Sequence, residues 1–107
     1  TQTLAKACWA SILLDSEEDA NKILHWTDAG AASWYDFAVA IGEFAAKFKL
    51  IDSAARVIPI STKQYPTPAK RPHYSILDCM YTYQVLSLTP LHWRKSLENV
   101  VHDFKSL

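Results

Sequence analysis

The sequence predicts a small α/β fold, of the α+β kind, with two short strands and about four helices. At 107 residues with 50% apolar content, the chain is long enough for one domain with a compact core. Apolar residues recur at helical spacing in several segments, and two short apolar runs are bounded by turn-forming residues, as strands are. Since two strands make too small a β-layer for an ordinary independent domain, we expect it to lie against a larger partner domain.

The first predicted helix and the first predicted strand occupy the N-terminal part of the chain. Apolar residues recur every three or four positions over Thr3–Leu14, which predicts a helix. The run Lys22–Thr27 is short and ends at the turn-forming residues Asp28–Gly30, which favours a strand. In such a strand Leu24 and Trp26 would share one face.

The clearest periodicity lies over Trp34–Phe48, where aromatic and aliphatic residues repeat at steps of three and four. Ser33 is the predicted N-cap, and Asp36, three residues later, is its partner in a capping box. A stripe of this spacing could line a ligand pocket, but it is more often part of the core, so we assign it to packing.

The second predicted strand and two further helices follow. Arg56–Ile60 is predicted as a strand at an edge or ending at its proline, because proline cannot donate a ladder hydrogen bond. Asp78 is predicted to cap a short helix over Cys79–Leu86. The pair Thr89–Pro90, with proline at the first helical position, is predicted to begin a last helix over about Leu91–Ser106.

The strongest functional signal is the proline-rich loop Tyr65–Asp78. It contains the adjacent cations Lys70 and Arg71, and between Asp52 and Asp78 the chain holds four cations and no carboxylate. Because the whole chain has 11 basic and 11 acidic residues, this local patch favours a small phosphorylated ligand over a nucleic acid. The alternative is a solvated surface loop stiffened by proline.

The sequence assigns no catalytic, cofactor-binding or metal-binding residue. With two glycines it has neither a GxGxxG fingerprint nor a P-loop, and no tyrosine is followed by lysine four positions later. The four histidines are too scattered to predict a metal site. Cys8 and Cys79 are expected to be free thiols that are buried or half-buried. No apolar run approaches the length of a membrane span, and no signal peptide is recognisable, so we expect a cytoplasmic protein.

Several segments, in order and in spacing, resemble the C-terminal part of the dTDP-4-dehydrorhamnose reductases, which are extended short-chain dehydrogenases/reductases. The matching segments are Gly30–Ala38, Pro59–Thr62, Tyr65–Pro72 with Ser75 and Leu77–Asp78, and His92–Arg94. The resemblance covers essentially the whole chain. The start at Thr1, without methionine and almost at once in a helical pattern, also suggests a piece of a longer protein.

The resemblance implies that catalysis and substrate binding depend on different parts of the parent enzyme. The N-terminal Rossmann half of that family, absent here, carries the glycine fingerprint, the NADPH or NADH site and the catalytic Tyr-x-x-x-Lys, while the C-terminal part helps to bind the nucleotide-sugar. The parent enzyme would reduce the C4 ketone of dTDP-4-dehydro-L-rhamnose to give dTDP-L-rhamnose. Residues 1–107 would therefore be a substrate-binding domain that is inactive alone.

The resemblance also implies a target for the loop, the diphosphate of a dTDP-sugar. We assign Arg71 to bind phosphate oxygens bidentately and Lys70 to act as a point charge. Tyr65 or Tyr74 would stack on the base or the sugar, and an equal alternative is that each pins the loop to the domain. The expected partners are the dTDP-sugar and the Rossmann domain, and the exposed interface could also support a homodimer.

Two other functions stay open. One is a catalytically silent regulatory relative of the same fold, which an upstream sequence lacking both the glycine motif and Tyr-x-x-x-Lys would indicate. The other is a free-standing adaptor that binds a protein partner. Exposed Trp and Phe side chains on the first or third helix would favour the adaptor.

Overall fold

The computed structural model describes residues 2–14 and 22–104. In these residues the elements are α1 (Gln2–Ile12), α2 (Trp34–Lys47), a 3₁₀ helix (Thr62–Gln64), α3 (Met80–Val85) and α4 (Trp93–Asp103). They belong to two compact units. The first unit contains residues 2–14, 22–30 and 76–96, and the second contains residues 31–75 and 97–104.

The predicted α/β fold is wrong, because the described residues form helices and no strand. Their β pairing is limited to an isolated parallel bridge between Ala29 and His92. In this bridge the Ala29 N–H donates to the Leu91 carbonyl at 2.7 Å, and the Trp93 N–H donates to the Ala29 carbonyl at 2.9 Å. Two hydrogen bonds join the segments at one point and do not extend into a ladder.

The segment Lys22–Thr27 shows why the first strand prediction fails. Its alternation is present, since Leu24 and Trp26 are half-buried while Ile23 and His25 are exposed. The alternation identified the side chains that face the protein. It could not supply a second extended segment with which this one could pair.

Helix α3 provides the hydrogen-bond partners that a neighbouring strand would have provided. The His25 N–H donates to Thr82 Oγ1 at 3.1 Å, and the Tyr83 hydroxyl donates to the Thr27 carbonyl at 2.8 Å. The Trp26 and Tyr83 rings meet edge to face, with centroids 5.3 Å apart. These contacts fix the segment against a helix within the first unit.

The second predicted strand, Arg56–Ile60, also has no regular secondary structure. Only Val57 in it is half-buried, and the side chains of Ile58 and Ile60 are exposed. The described part of the chain contains no strand to pair with it, and Pro59 has no N–H to donate. The short apolar run is therefore an exposed connection in the second unit.

Helix α2 confirms the predicted capping box. Ser33 Oγ accepts a hydrogen bond from the Asp36 N–H at 3.1 Å, while Asp36 Oδ2 accepts from the Ser33 N–H at 2.8 Å and from Ser33 Oγ at 2.7 Å. The bonds from the Ser33 backbone and side chain lower the pKa of the Asp36 carboxyl. The observed helix, Trp34–Lys47, ends one residue before the prediction.

The apolar stripe of α2 is only partly a packing surface. Ala40 is fully buried and Phe44 is half-buried, as predicted. Trp34, however, is 85% exposed, and Phe37 and Ile41 are also exposed. Helical spacing predicted which residues share a face, but it could not show that the N-terminal half of this face is uncovered in the chain.

The other helices lie close to their predicted positions. Helix α1 confirms the first helix prediction, although it ends at Ile12, and α3 confirms the short helix after Asp78. The predicted N-cap at Asp78 is wrong by one residue, because Cys79 is the N-cap; Asp78, just before it, accepts a hydrogen bond from the Met80 N–H through Oδ1 at 3.0 Å. Buried side chains are few: Ala7, Cys79, Thr82 and Leu86 in the first unit, and Ala40 and Val101 in the second. Both cysteines are free thiols, as predicted; Cys79 is buried, whereas the predicted burial of Cys8 is wrong because its side chain is exposed.

The predicted start of the last helix at Thr89–Pro90 is wrong. Helix α4 begins at Trp93, and the His92 ring takes the capping role, with Nδ1 accepting from the Arg94 N–H at 3.3 Å. The bridge to Ala29 holds the chain at His92 outside the helix. The predicted helix end at Ser106 lies outside the described residues.

Candidate functional site

The loop Tyr65–Asp78 lies on the surface over its whole length. It has no regular secondary structure, and every one of its residues is exposed. The residues up to Ser75 belong to the second unit. Within the loop, the Thr67 hydroxyl donates to the Ala69 carbonyl at 3.1 Å. A loop of this kind presents its side chains to solvent, and its three prolines restrict its backbone.

The four predicted binding residues are all accessible. Tyr65 and Tyr74 are 69% and 77% exposed, and Lys70 and Arg71 are exposed beside each other in the sequence. Within residues 2–14 and 22–104, neither cation forms an ion pair and neither tyrosine ring contacts another ring or a cation. Among the described residues, the two charges thus have no counter-ion, and the tyrosines share no contact with them.

A closed turn immediately precedes this loop and was missed by the sequence analysis. Gln64 Oε1 accepts hydrogen bonds from the Ser61 N–H at 2.8 Å and from Ser61 Oγ at 2.9 Å. The Gln64 N–H donates to the Ser61 carbonyl at 2.9 Å, and the Tyr65 N–H donates to the Thr62 carbonyl at 3.3 Å. The spacing Ser-x-x-Gln is a known capping-box signal and could have revealed this turn.

The first unit contains an open groove of about 260 Å³, which the sequence analysis also missed. It is lined by residues 27–30, residues 76–80 and Tyr83. At its edge the Asp28 carboxylate accepts from the Thr3 hydroxyl at 2.7 Å. Burial raises the pKa of Tyr83 above its ordinary value, and its hydroxyl donates to the Thr27 carbonyl.

Across the described ranges, no three His, Cys, Asp or Glu side chains are arranged to hold a metal ion. None of the described helices is both long enough and apolar enough to cross a membrane.

Comparison with known proteins gives one family. The model of the RmlD substrate binding domain matches residues 1–106. The chain is 40% identical over 78 residues to the dTDP-4-dehydrorhamnose reductase of Aggregatibacter actinomycetemcomitans, a match that covers 73% of this chain and 26% of that protein.

Two other relatives carry different names. A probable dTDP-4,6-dihydroxy-2-methyloxan-3-one 4-ketoreductase of Streptomyces antibioticus is 37% identical over 83 residues, covering 76% of this chain and 26% of the relative. The spore coat polysaccharide biosynthesis protein SpsK of Bacillus subtilis is 30% identical over 84 residues, a match that covers 78% of this chain and 27% of the relative. No solved structure matches the chain significantly.

The chain belongs to the RmlD substrate binding domain family, which confirms the resemblance seen in its motifs. It spans about a quarter of the length of the curated relatives it matches.

Proposed function

We propose that this chain is the nucleotide-sugar-binding part of a dTDP-4-dehydrorhamnose reductase. In the proposed reaction the complete enzyme reduces the C4 ketone of dTDP-4-dehydro-L-rhamnose with NADPH or NADH, giving dTDP-L-rhamnose in the cytoplasm. The family match over residues 1–106 and the names of the relatives support this proposal. The exposed pair Lys70 and Arg71 is the observation that assigns the proposed binding to specific residues.

The proposed role of Lys70 and Arg71 is to bind the diphosphate of the dTDP-sugar. Neither side chain has an ion-pair partner in the described part of the chain, so a phosphate group would displace none of the described carboxylates. Arginine can bind phosphate oxygens bidentately, whereas lysine acts as a point charge. The prolines on either side reduce the conformational entropy that the loop would lose on binding.

Tyr65 and Tyr74 are proposed to contact the thymine base or the sugar. Both rings are largely exposed, and in the described residues neither packs against another aromatic ring. This arrangement supports the stacking role over the alternative in which the rings pin the loop to the domain. A flat apolar ring with a polar hydroxyl suits a ligand that has both a base and sugar hydroxyls.

The nicotinamide cofactor is proposed to bind outside this chain. Gly30 packs closely against His92 and Trp93, and Gly42 lies inside α2, so neither glycine opens a turn that could cradle a pyrophosphate. When bound in the complete enzyme, the cofactor supplies the hydride, and the residues of this chain bind and orient the substrate.

A protein surface is the second proposed partner. Trp9 on α1 is 67% exposed, and Trp34 on α2 is more exposed still. Large exposed aromatic side chains commonly mark interaction surfaces. A Rossmann half would cover them in a reductase, but the same observation favours a regulatory or adaptor protein of the same family. Binding of the nucleotide-sugar distinguishes a reductase from an adaptor, whereas an upstream sequence lacking both the glycine motif and Tyr-x-x-x-Lys would indicate the regulatory relative.

The proposal is tested by calorimetric titration of dTDP-L-rhamnose, dTDP and thymidine into the chain. We expect dTDP-L-rhamnose and dTDP to bind and thymidine, which has no diphosphate, to bind far more weakly. Arg71→Ala or Lys70→Ala should each raise the Kd for dTDP roughly tenfold, as the loss of a charge-assisted hydrogen bond does.

Lys6→Ala is the matched control, since it removes an exposed cation that lies outside the cationic segment between Asp52 and Asp78. We expect its Kd to equal that of the unchanged chain. Equal weakening by loop and control variants would contradict a localised diphosphate site. Absence of dTDP binding would favour the protein-binding relative.

A further inference from the structure

We propose that Gln64 is a positioning residue, whose side-chain oxygen sets the direction in which Tyr65 leaves the 3₁₀ turn and enters the binding loop. This inference rests on the proposed function, because Tyr65 is one of the residues assigned to contact the nucleotide-sugar. Gln64 itself would touch no ligand. Its effect would pass through the backbone of Ser61–Tyr65.

The contacts of Gln64 form a closed ring of hydrogen bonds around this turn. Its Oε1 accepts from both the N–H and the hydroxyl of Ser61, at 2.8 and 2.9 Å, and its own N–H donates to the Ser61 carbonyl at 2.9 Å. One side chain thus satisfies two donors at the start of the turn. The Tyr65 N–H completes the turn by donating to the Thr62 carbonyl at 3.3 Å.

Little else in the described structure restrains Tyr65. Its ring is largely exposed and has no aromatic contact, so packing does not fix its direction. The next residue is a proline, which favours a ψ of about 120–160° at Tyr65. The observed backbone angles of Tyr65 are φ −131° and ψ 74°. Because this ψ lies outside the range that the proline favours, we attribute it to the hydrogen-bonded turn before Tyr65.

The chemistry of glutamine suits this position. Its amide oxygen accepts two hydrogen bonds, while its side chain carries no charge. A carboxylate there would accept the same bonds but would add a negative charge close to a loop that is proposed to bind an anion. Gln64→Glu therefore retains the geometry of the turn, and Gln64→Ala removes it.

The first test follows the backbone and needs no ligand. A φ near −131° gives a large NMR coupling between the amide and α protons of Tyr65. We expect Gln64→Ala to lower this coupling towards an averaged value and Gln64→Glu to keep it large. Gln84→Ala, which removes an exposed glutamine from α3, is the matched control and should leave it unchanged. An unchanged coupling in Gln64→Ala overturns the inference even if dTDP-L-rhamnose binds.

The second test is a double-mutant cycle on the Kd for dTDP-L-rhamnose. Gln64→Ala should raise this Kd roughly two- to tenfold, the range expected for one lost hydrogen bond. In a Tyr65→Ala background the same substitution should have no further effect, because the two residues act as one unit. Additive effects would overturn the positioning role. Failure of the unchanged chain to bind would instead overturn the proposed function, and the NMR result would still decide whether Gln64 orients Tyr65.

Discussion

At the scale of single residues, Gly30 is the position where the backbone itself dictates the amino acid. Its φ of +92° is a conformation that residues with a Cβ rarely adopt. A Cβ there would lie 2.5 Å from His92 Nε2 and 2.9 Å from Trp93 Cδ1. Rotation of the His92 ring away from this Cβ would break the hydrogen bond that its Nδ1 accepts from the Arg94 N–H.

We therefore predict that Gly30→Ala lowers the free energy of unfolding by roughly 2–4 kcal/mol, from backbone strain together with overpacking. Urea denaturation followed by circular dichroism measures this change. Ala31→Gly, at the neighbouring exposed position, is the control and should cost no more than about 1 kcal/mol. Equal stabilities of Gly30→Ala and the unchanged chain would show that the turn can relax freely.

At the scale of elements, the capping box gives α2 a stability that depends on pH. The hydrogen bonds from Ser33 lower the pKa of Asp36 in the folded chain below its value in the unfolded chain. The ionised carboxylate consequently contributes stability above the unfolded pKa, and this contribution disappears as the pH falls through the folded pKa.

We predict that Ser33→Ala destabilises the chain by about 1 kcal/mol at neutral pH, as the loss of an N-cap typically does. The difference from the unchanged chain should shrink in acid, where Asp36 is protonated in both states. Denaturation curves at neutral and acidic pH measure this difference in the free energy of unfolding. Ser53→Ala, which changes an exposed serine outside the helices, is the control. A difference that stays constant across this pH range would argue against a role for the Asp36 charge.

The capping box also shows which elements a sequence can predict. Ser33 and Asp36 are three residues apart, so the chemistry that begins α2 is local and readable. The run Lys22–Thr27 is different, because strand formation requires a distant partner, and the partner turned out to be the side chains of Thr82 and Tyr83 on a helix. Alternation predicted burial correctly and secondary structure wrongly.

The candidate site likewise has some features that the sequence can predict and others that it cannot. The charge and proline content of Tyr65–Asp78 predicted an exposed loop, and the loop is exposed throughout. The local signal Ser61–Gln64 was overlooked although its spacing is a capping-box pattern. The groove beside Asp28 and Tyr83 could not be predicted, since its walls come from segments about fifty residues apart in the sequence.

At the scale of the whole molecule, binding and chemistry are proposed to reside in different parts of the complete enzyme. The net charge of the chain is zero, so its affinity for an anion would come from the local field of Lys70 and Arg71. Such a field is screened by salt over a Debye length of about 8 Å at physiological ionic strength. A ligand contact in this loop would orient a substrate without supplying a group that transfers hydride.

We predict that the purified chain does not reduce dTDP-4-dehydro-L-rhamnose with NADPH or NADH, even under conditions where it binds dTDP-L-rhamnose. The residues that would be needed are not in it: neither Gly30 nor Gly42 opens a phosphate-binding turn, and no tyrosine is followed by lysine four positions later. The assay follows nicotinamide absorbance at 340 nm, with a complete dTDP-4-dehydrorhamnose reductase as the positive control. The contradicting result would be substrate-dependent oxidation of the nicotinamide that increases with the amount of chain and that Arg71→Ala weakens. It would place the chemistry within these 107 residues, together with substrate binding.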